Sequence, residues 1–174
     1  MRLTQSSDTL ALPELPALGA DDLQLVRLVL TPGPFKSRAR MAGIPAARIS
    51  GAHRRVCDLL GATHLPQAGA IAAAHRLFTS ADLNLPQLRG PLHLAPRKQR
   101  AMELLISGLE DDQIALELQV APDTARGYLT DTVTDLGGPR RPQAAFTAIA
   151  TGTLALSVIS PLYPHVHLTP GAAR

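Results

Sequence analysis

The sequence predicts an all-α fold built as two four-helix units in tandem. Three observations carry this. The 174-residue chain is 45% hydrophobic and 18% charged, has no Trp and only 3% aromatic residues. Its core must come from Leu, Ala, Val and Ile, which suits packed helices better than a β-sandwich. Its 15 prolines fall between periodic segments and punctuate short helices. Finally, residues 18–78 and 94–154 share one apolar phase.

In chain order, residues 1–17 read as a tail: polar Thr4–Thr9, then a Leu/Pro stretch. Residues 79–93, polar and with two prolines, read as a linker between the units. The second unit is the more legible. Pro96 suits a first helical turn, Ala101, Leu104, Leu105 and Ile106 follow at helical spacing, and Gly108 ends the run. Asp111 and Asp112 suit the cap of a second helix with Ile114, Ala115 and Leu118 inward. A tight turn, Gln119-Val120-Ala121, follows. Pro122 and Asp123 open a third helix, with Ala125, Leu129, Val133 and Leu136 inward and Gly137-Gly138-Pro139 as its stop. Pro142 starts a fourth, with Ala145, Phe146 and Ile149. Residues 155–174 carry Pro161, Pro164 and Pro170 and are predicted non-helical.

Two short helices across a tight turn are the helix-turn-helix arrangement, whose second helix can enter a major groove. The quoted residues carry a resemblance. Leu94-x-Pro96-Arg97, Leu104-Leu105-x-x-Gly108-Leu109, Gln113-Ile114-Ala115, Val120-x-Pro122-x-Thr124-x-Arg126 and Leu136-Gly137 together resemble the LuxR (GerE-type) DNA-binding domain. The resemblance covers about a third of the chain and is specific only in combination. It implies double-stranded DNA as partner, and Thr124, Arg126, Gly127 and Thr130 as its contacts. It also implies a last helix that pairs two domains.

Sliding the first segment by 76 positions lays it on the second without gaps. Leu18, Leu28, Ala39, Gly51, Leu60-Gly61 and Pro66-Gln67-Ala68 fall on identical residues, and 11 of 61 positions match in all. Residues 18–78 therefore read as a diverged second copy, and the chain as two tandem LuxR-type domains. Helices 67–77 and 143–152 would pair within the chain as a pseudo-dimer. A homodimer is the alternative use of the same surfaces.

Charge divides the copies. Residues 18–78 hold eight Lys/Arg against three Asp/Glu, and residues 94–154 hold six against eight. Lys36, Arg38 and Arg40 fall on the second helix of the basic copy, and Arg48, Arg54 and Arg55 on its third, where cations near phosphates strengthen binding. Ser50, Gly51 and Arg54 point away from the core set Ile49, Val56 and Leu60 and are its groove-facing candidates. The acidic copy places Asp131 and Asp135 where the family is commonly basic. Arg140 and Arg141 are further candidates for phosphate contact. Two readings stay open: a DNA-binding transcriptional regulator, or a protein-interaction module on the same scaffold, with the acidic copy facing a protein partner.

Other classes find little support. No Ser/His/Asp set, phosphate-binding glycine loop or paired carboxylate stands out, so no enzyme and no cofactor is expected. His165 and His167 in a Pro-rich tail, without a third ligand, suggest no metal. The single cysteine, Cys57, excludes an internal disulfide and reads as a half-buried thiol; His53 reads as helix packing. With no signal peptide and no spanning apolar run, the expected place is the cytoplasm, at the nucleoid, and not a membrane.

Overall fold

The computed structural model describes residues 14–159, and every regular element among them is helical. The order is α1 (Ala20–Leu30), α2 (Phe35–Met41), α3 (Ala46–Ile49), α4 (Ala52–Leu60), α5 (Leu65–Ala74), α6 (Pro96–Ile106), α7 (Asp111–Leu118), α8 (Pro122–Asp135) and α9 (Arg141–Ala150). A 3-10 turn, Leu156–Val158, follows. His165 and His167 lie outside the described residues.

The helix bounds repeat. Both ends of α6 and both ends of α9 lie 76 positions after those of α1 and α5, and α7 starts 76 after α2. Burial repeats with them: Val26 and Met102, Val29 and Leu105, Leu30 and Ile106, Ala39 and Ala115, and Leu60 and Leu136 are all buried. The turn before each third helix repeats as well. Gly43 and Gln119, one offset apart, both take the left-handed conformation, with φ of 72° and 54°. A glycine adopts it freely, whereas a glutamine accepts some strain to turn the chain there.

The repeat fails at the third helix. In the second half it is the continuous 14-residue α8, with Ala125, Leu129 and Thr132 buried. In the first half Ser50 is extended and Gly51 left-handed (φ 74°), so the expected single helix is two, α3 and α4. The core beneath explains this. Ile114, Leu118 and Leu129 are buried. Their offset equivalents are Arg38, the exposed Ala42 and the exposed His53, whose ring rests on Phe35 at 5.8 Å. Three aliphatic supports are gone, and a Ser-Gly pair breaks an unsupported helix cheaply.

α5 and α9 make the broadest contact between elements, and most residues of both are buried. They begin and end two to three residues before the expected 67–77 and 143–152 because Pro66 and Pro142 occupy the first turn of each. The crossing is close enough that a Cβ on Gly69 would collide with the Pro142 carbonyl oxygen. Two glutamines one offset apart mark the crossing. Gln143, buried, donates from Nε2 to the Leu30 carbonyl at the end of α1 (2.8 Å). Gln67 accepts from the Thr63 backbone N–H (2.8 Å) and lies with Thr63 against Gly108, just past the end of α6.

The expected linker is packed rather than loose. Leu83 and Leu85 are buried, Pro86 lies against Gly137, and Arg27 Nε donates to the Asp82 carbonyl at 3.0 Å. Past α9, Leu154, Leu156 and Ile159 are buried too, so the first residues of the stretch expected to be a non-helical tail pack on the core and include a 3-10 turn.

Candidate nucleic-acid interface

The exposed face of α8 carries Thr124, Arg126, Gly127, Thr130, Asp131 and Asp135. Arg126 is drawn along the surface: its guanidinium meets Asp123 at 2.6 Å and Asp111 at 3.7 Å. Thr130 Oγ1 donates to the Arg126 carbonyl at 2.9 Å. A Cβ on Gly127 would meet nothing within 4 Å. Asp131 and Asp135 converge on Lys98 of α6, at 3.4 and 3.0 Å. The Asp135 hydrogen bond, then the charge of Asp131, holds the Lys98 ammonium above its ordinary pKa.

The first half uses the same two positions with the charges exchanged. Arg55 of α4 pairs with Asp22 of α1 at 3.0 Å. Asp22 and Lys98 are one offset apart, as are Arg55 and Asp131. Arg48 joins beside it, meeting Asp21 at 2.9 Å. These two pairs rim a small pocket that Leu25, Ile44 and Pro45 also line. Arg48 and Arg55 were expected to face phosphates; the structure places them on carboxylates of α1. The partners could have been found from sequence, since the inverted pair is visible once the copies are aligned.

Arg38 is structural. It sits where the second half buries Ile114, and its guanidinium donates to the Leu28 (2.9 Å) and Thr31 (2.6 Å) carbonyls. A cation there ties α2 to the negative end of α1. Burial, then the nearby Arg140, lowers its pKa. What remains open in the first half is Lys36, Arg40 and Arg54, with Ser50 and Gly51 on the same exposed stretch. These three cations have no ion pair among the described residues.

Asp111 was expected to cap α7; Glu110 holds that position, with its backbone N–H donating to Gln113 Oε1 at 2.9 Å. Asp111 instead accepts both arms of Arg141, the longer at 3.0 Å. The hydrogen bond from Arg141 pulls the Asp111 pKa down, against the opposing effect of burial. A depressed folded-state pKa stabilises above the unfolded carboxylate's pKa and loses that stabilisation as pH falls through the folded value. Asp111→Asn is therefore expected to lower the urea midpoint at pH 7 and to narrow the gap from wild type below the carboxylate range. A gap constant with pH would contradict this.

Cys57 is half-buried, and burial, then Asp58, raises its thiol pKa. Among the described residues no group of three or more His, Cys, Asp or Glu is placed to hold a metal, and no helix is long and apolar enough to cross a membrane. Comparison with protein-family models, curated proteins and solved structures gives no match to this chain.

Proposed function

We propose that the chain is a DNA-binding transcriptional regulator made of two LuxR-like helix-turn-helix units, residues 18–78 and 94–154, joined back to back through α5 and α9. The recurrence of helix bounds and buried positions at one offset supports duplication. The reciprocal placement of Gln67 and Gln143 at opposite helix ends supports a pseudo-twofold seam, the self-complementary form of a dimer interface. With that seam filled inside one chain, no second copy is needed to complete it. The single observation that carries DNA contact is the unpaired, exposed trio Lys36 and Arg40 on α2 and Arg54 on α4 of the basic unit. Such cations release counterions from the phosphate backbone whatever its sequence. Arg126, Thr124, Gly127 and Thr130 on the continuous α8 are the proposed groove-facing set of the other unit. Two unequal units favour an asymmetric site.

Fluorescence anisotropy on a short random-sequence duplex tests this. Three phosphate contacts predict an affinity loss of about 40-fold between about 50 and 200 mM salt. Lys36→Ala with Arg40→Ala and Arg54→Ala is expected to remove most of that salt dependence. Wild-type-like binding by the triple variant would overturn the assignment.

The second reading, a protein-interaction module, is favoured by the break at Gly51 and by the carboxylates of α8. It takes over if the wild type shows no salt-dependent binding to any duplex.

A further inference from the structure

Two large hydrophobic side chains stand exposed among the described residues: Met41 (80%) and Leu116 (77%). They lie on α2 and α7, which begin at the same position of the repeat. Their charged neighbours are opposite in sign. The outer face of α2 presents Lys36, Arg40 and Met41, and that of α7 presents Asp112, Leu116 and Glu117. Lys36 and Asp112 are one offset apart, as are Arg40 and Leu116, and Met41 and Glu117. None of the four charges has an ion pair among the described residues. The neighbouring Asp111, Asp123 and Asp131 are each already held by a cation.

We propose that these faces bind each other between two copies of this chain, α2 of one molecule on α7 of the next. A parallel crossing sets Arg40 against Glu117 and Met41 against Leu116, with Lys36 and Asp112 adding their charges at the two edges of the contact. Charge complementarity selects a second copy of this chain over a like-charged face, and the exposed Met41 and Leu116 add an apolar contact to it. The contact is heterologous, because each chain contributes a different face at each junction. It therefore propagates into open chains unless its rotation closes a ring. A contact made by a few exposed side chains is expected to be weak and salt-sensitive. The pairing does not depend on the DNA reading, although duplex DNA would compete for Lys36 and Arg40.

Sedimentation velocity without nucleic acid tests it. At about 1 mM protein and about 20 mM salt, the weight-average mass is expected to rise to roughly twice the monomer's and to fall back at about 500 mM salt. Lys36→Glu with Arg40→Glu makes both faces acidic, and Asp112→Lys with Glu117→Lys makes both basic. Each double variant alone is expected to stay monomeric, and an equimolar mixture to associate as the wild type does. That restoration separates lost pairing from lost folding. A wild type that stays monomeric at low salt overturns the pairing and leaves the faces to DNA or to another protein. So does a mixture that fails to associate, or an assembly indifferent to salt.

Discussion

A Gly69→Ala variant is expected to melt about 4–12 °C below the wild type, from a net loss of about 2–3 kcal/mol. Inside a helix the same change normally stabilises by about 1 kcal/mol, because alanine has the higher helix propensity. Packing reverses the sign here. The added Cβ would lie 3.1 Å from the Pro142 carbonyl carbon and closer still to its oxygen. That oxygen belongs to backbone in the first turn of α9, so α9 must slide as a body to make room. Gly127 is the control: it lies inside α8, and a Cβ there meets nothing within 4 Å. Gly127→Ala is expected to raise the melting temperature by about 2–4 °C. Differential scanning calorimetry of both variants decides the matter. A Gly69→Ala variant at or above wild-type stability would show that α5 and α9 do not cross this closely.

Helix positions were largely legible in the sequence, for reasons that also explain where reading failed. Pro96, Pro122 and Pro142 sit in first turns, Gly108 and Gly137 follow helix ends with positive φ, and the apolar residues between them keep helical spacing. The Ser50-Gly51 pair is itself a turn signal, but the apolar spacing on either side of it reads as one continuous helix. Periodicity in α4 is good apart from His53, and the other two missing supports, Arg38 and Ala42, lie on α2 and its C-cap. Local pattern cannot register a support missing from another helix.

Charge misled in a similar way. Counting cations on residues 18–78 treats Arg38, Arg48 and Arg55 as free for phosphate. One of them binds the end of α1 and two bind its first-turn carboxylates. Counting carboxylates on α8 treats Asp131 and Asp135 as repulsive, yet both lie at Lys98. The two halves are thus electrostatically closer than their sums suggest. Each holds its third helix to its first by one ion pair at a shared position, written in opposite charges. Such pairs are exposed and individually weak. What they change is which side chains remain open to a partner, and that depends on where neighbouring helices place the opposite charge.

Phe146→Ala is expected to be the most damaging single substitution considered, costing about 3–5 kcal/mol, or about 6–20 °C in melting temperature. Phe146 is the bulkiest fully buried side chain and lies in α9. One offset away, α5 has Ala70, and where α9 has Ala145, α5 has Gly69. The two helices that meet at the seam are therefore matched large to small. An α9–α9 pair would bring two copies of Phe146 to one crossing, and an α5–α5 pair would supply neither. Such an asymmetry would favour the unlike, intrachain pairing over either like pairing, the selection by misfit that coiled coils also use. Truncating Phe146 removes both its burial and that preference. The variant is thus expected to unfold at lower temperature by calorimetry and, at high protein concentration, to form dimers through its loosened seam. Those dimers should persist at about 500 mM salt, which separates them from any charge-driven association through α2 and α7. A Phe146→Ala protein that melts with the wild type would place the stability of the chain elsewhere than in the α5–α9 crossing.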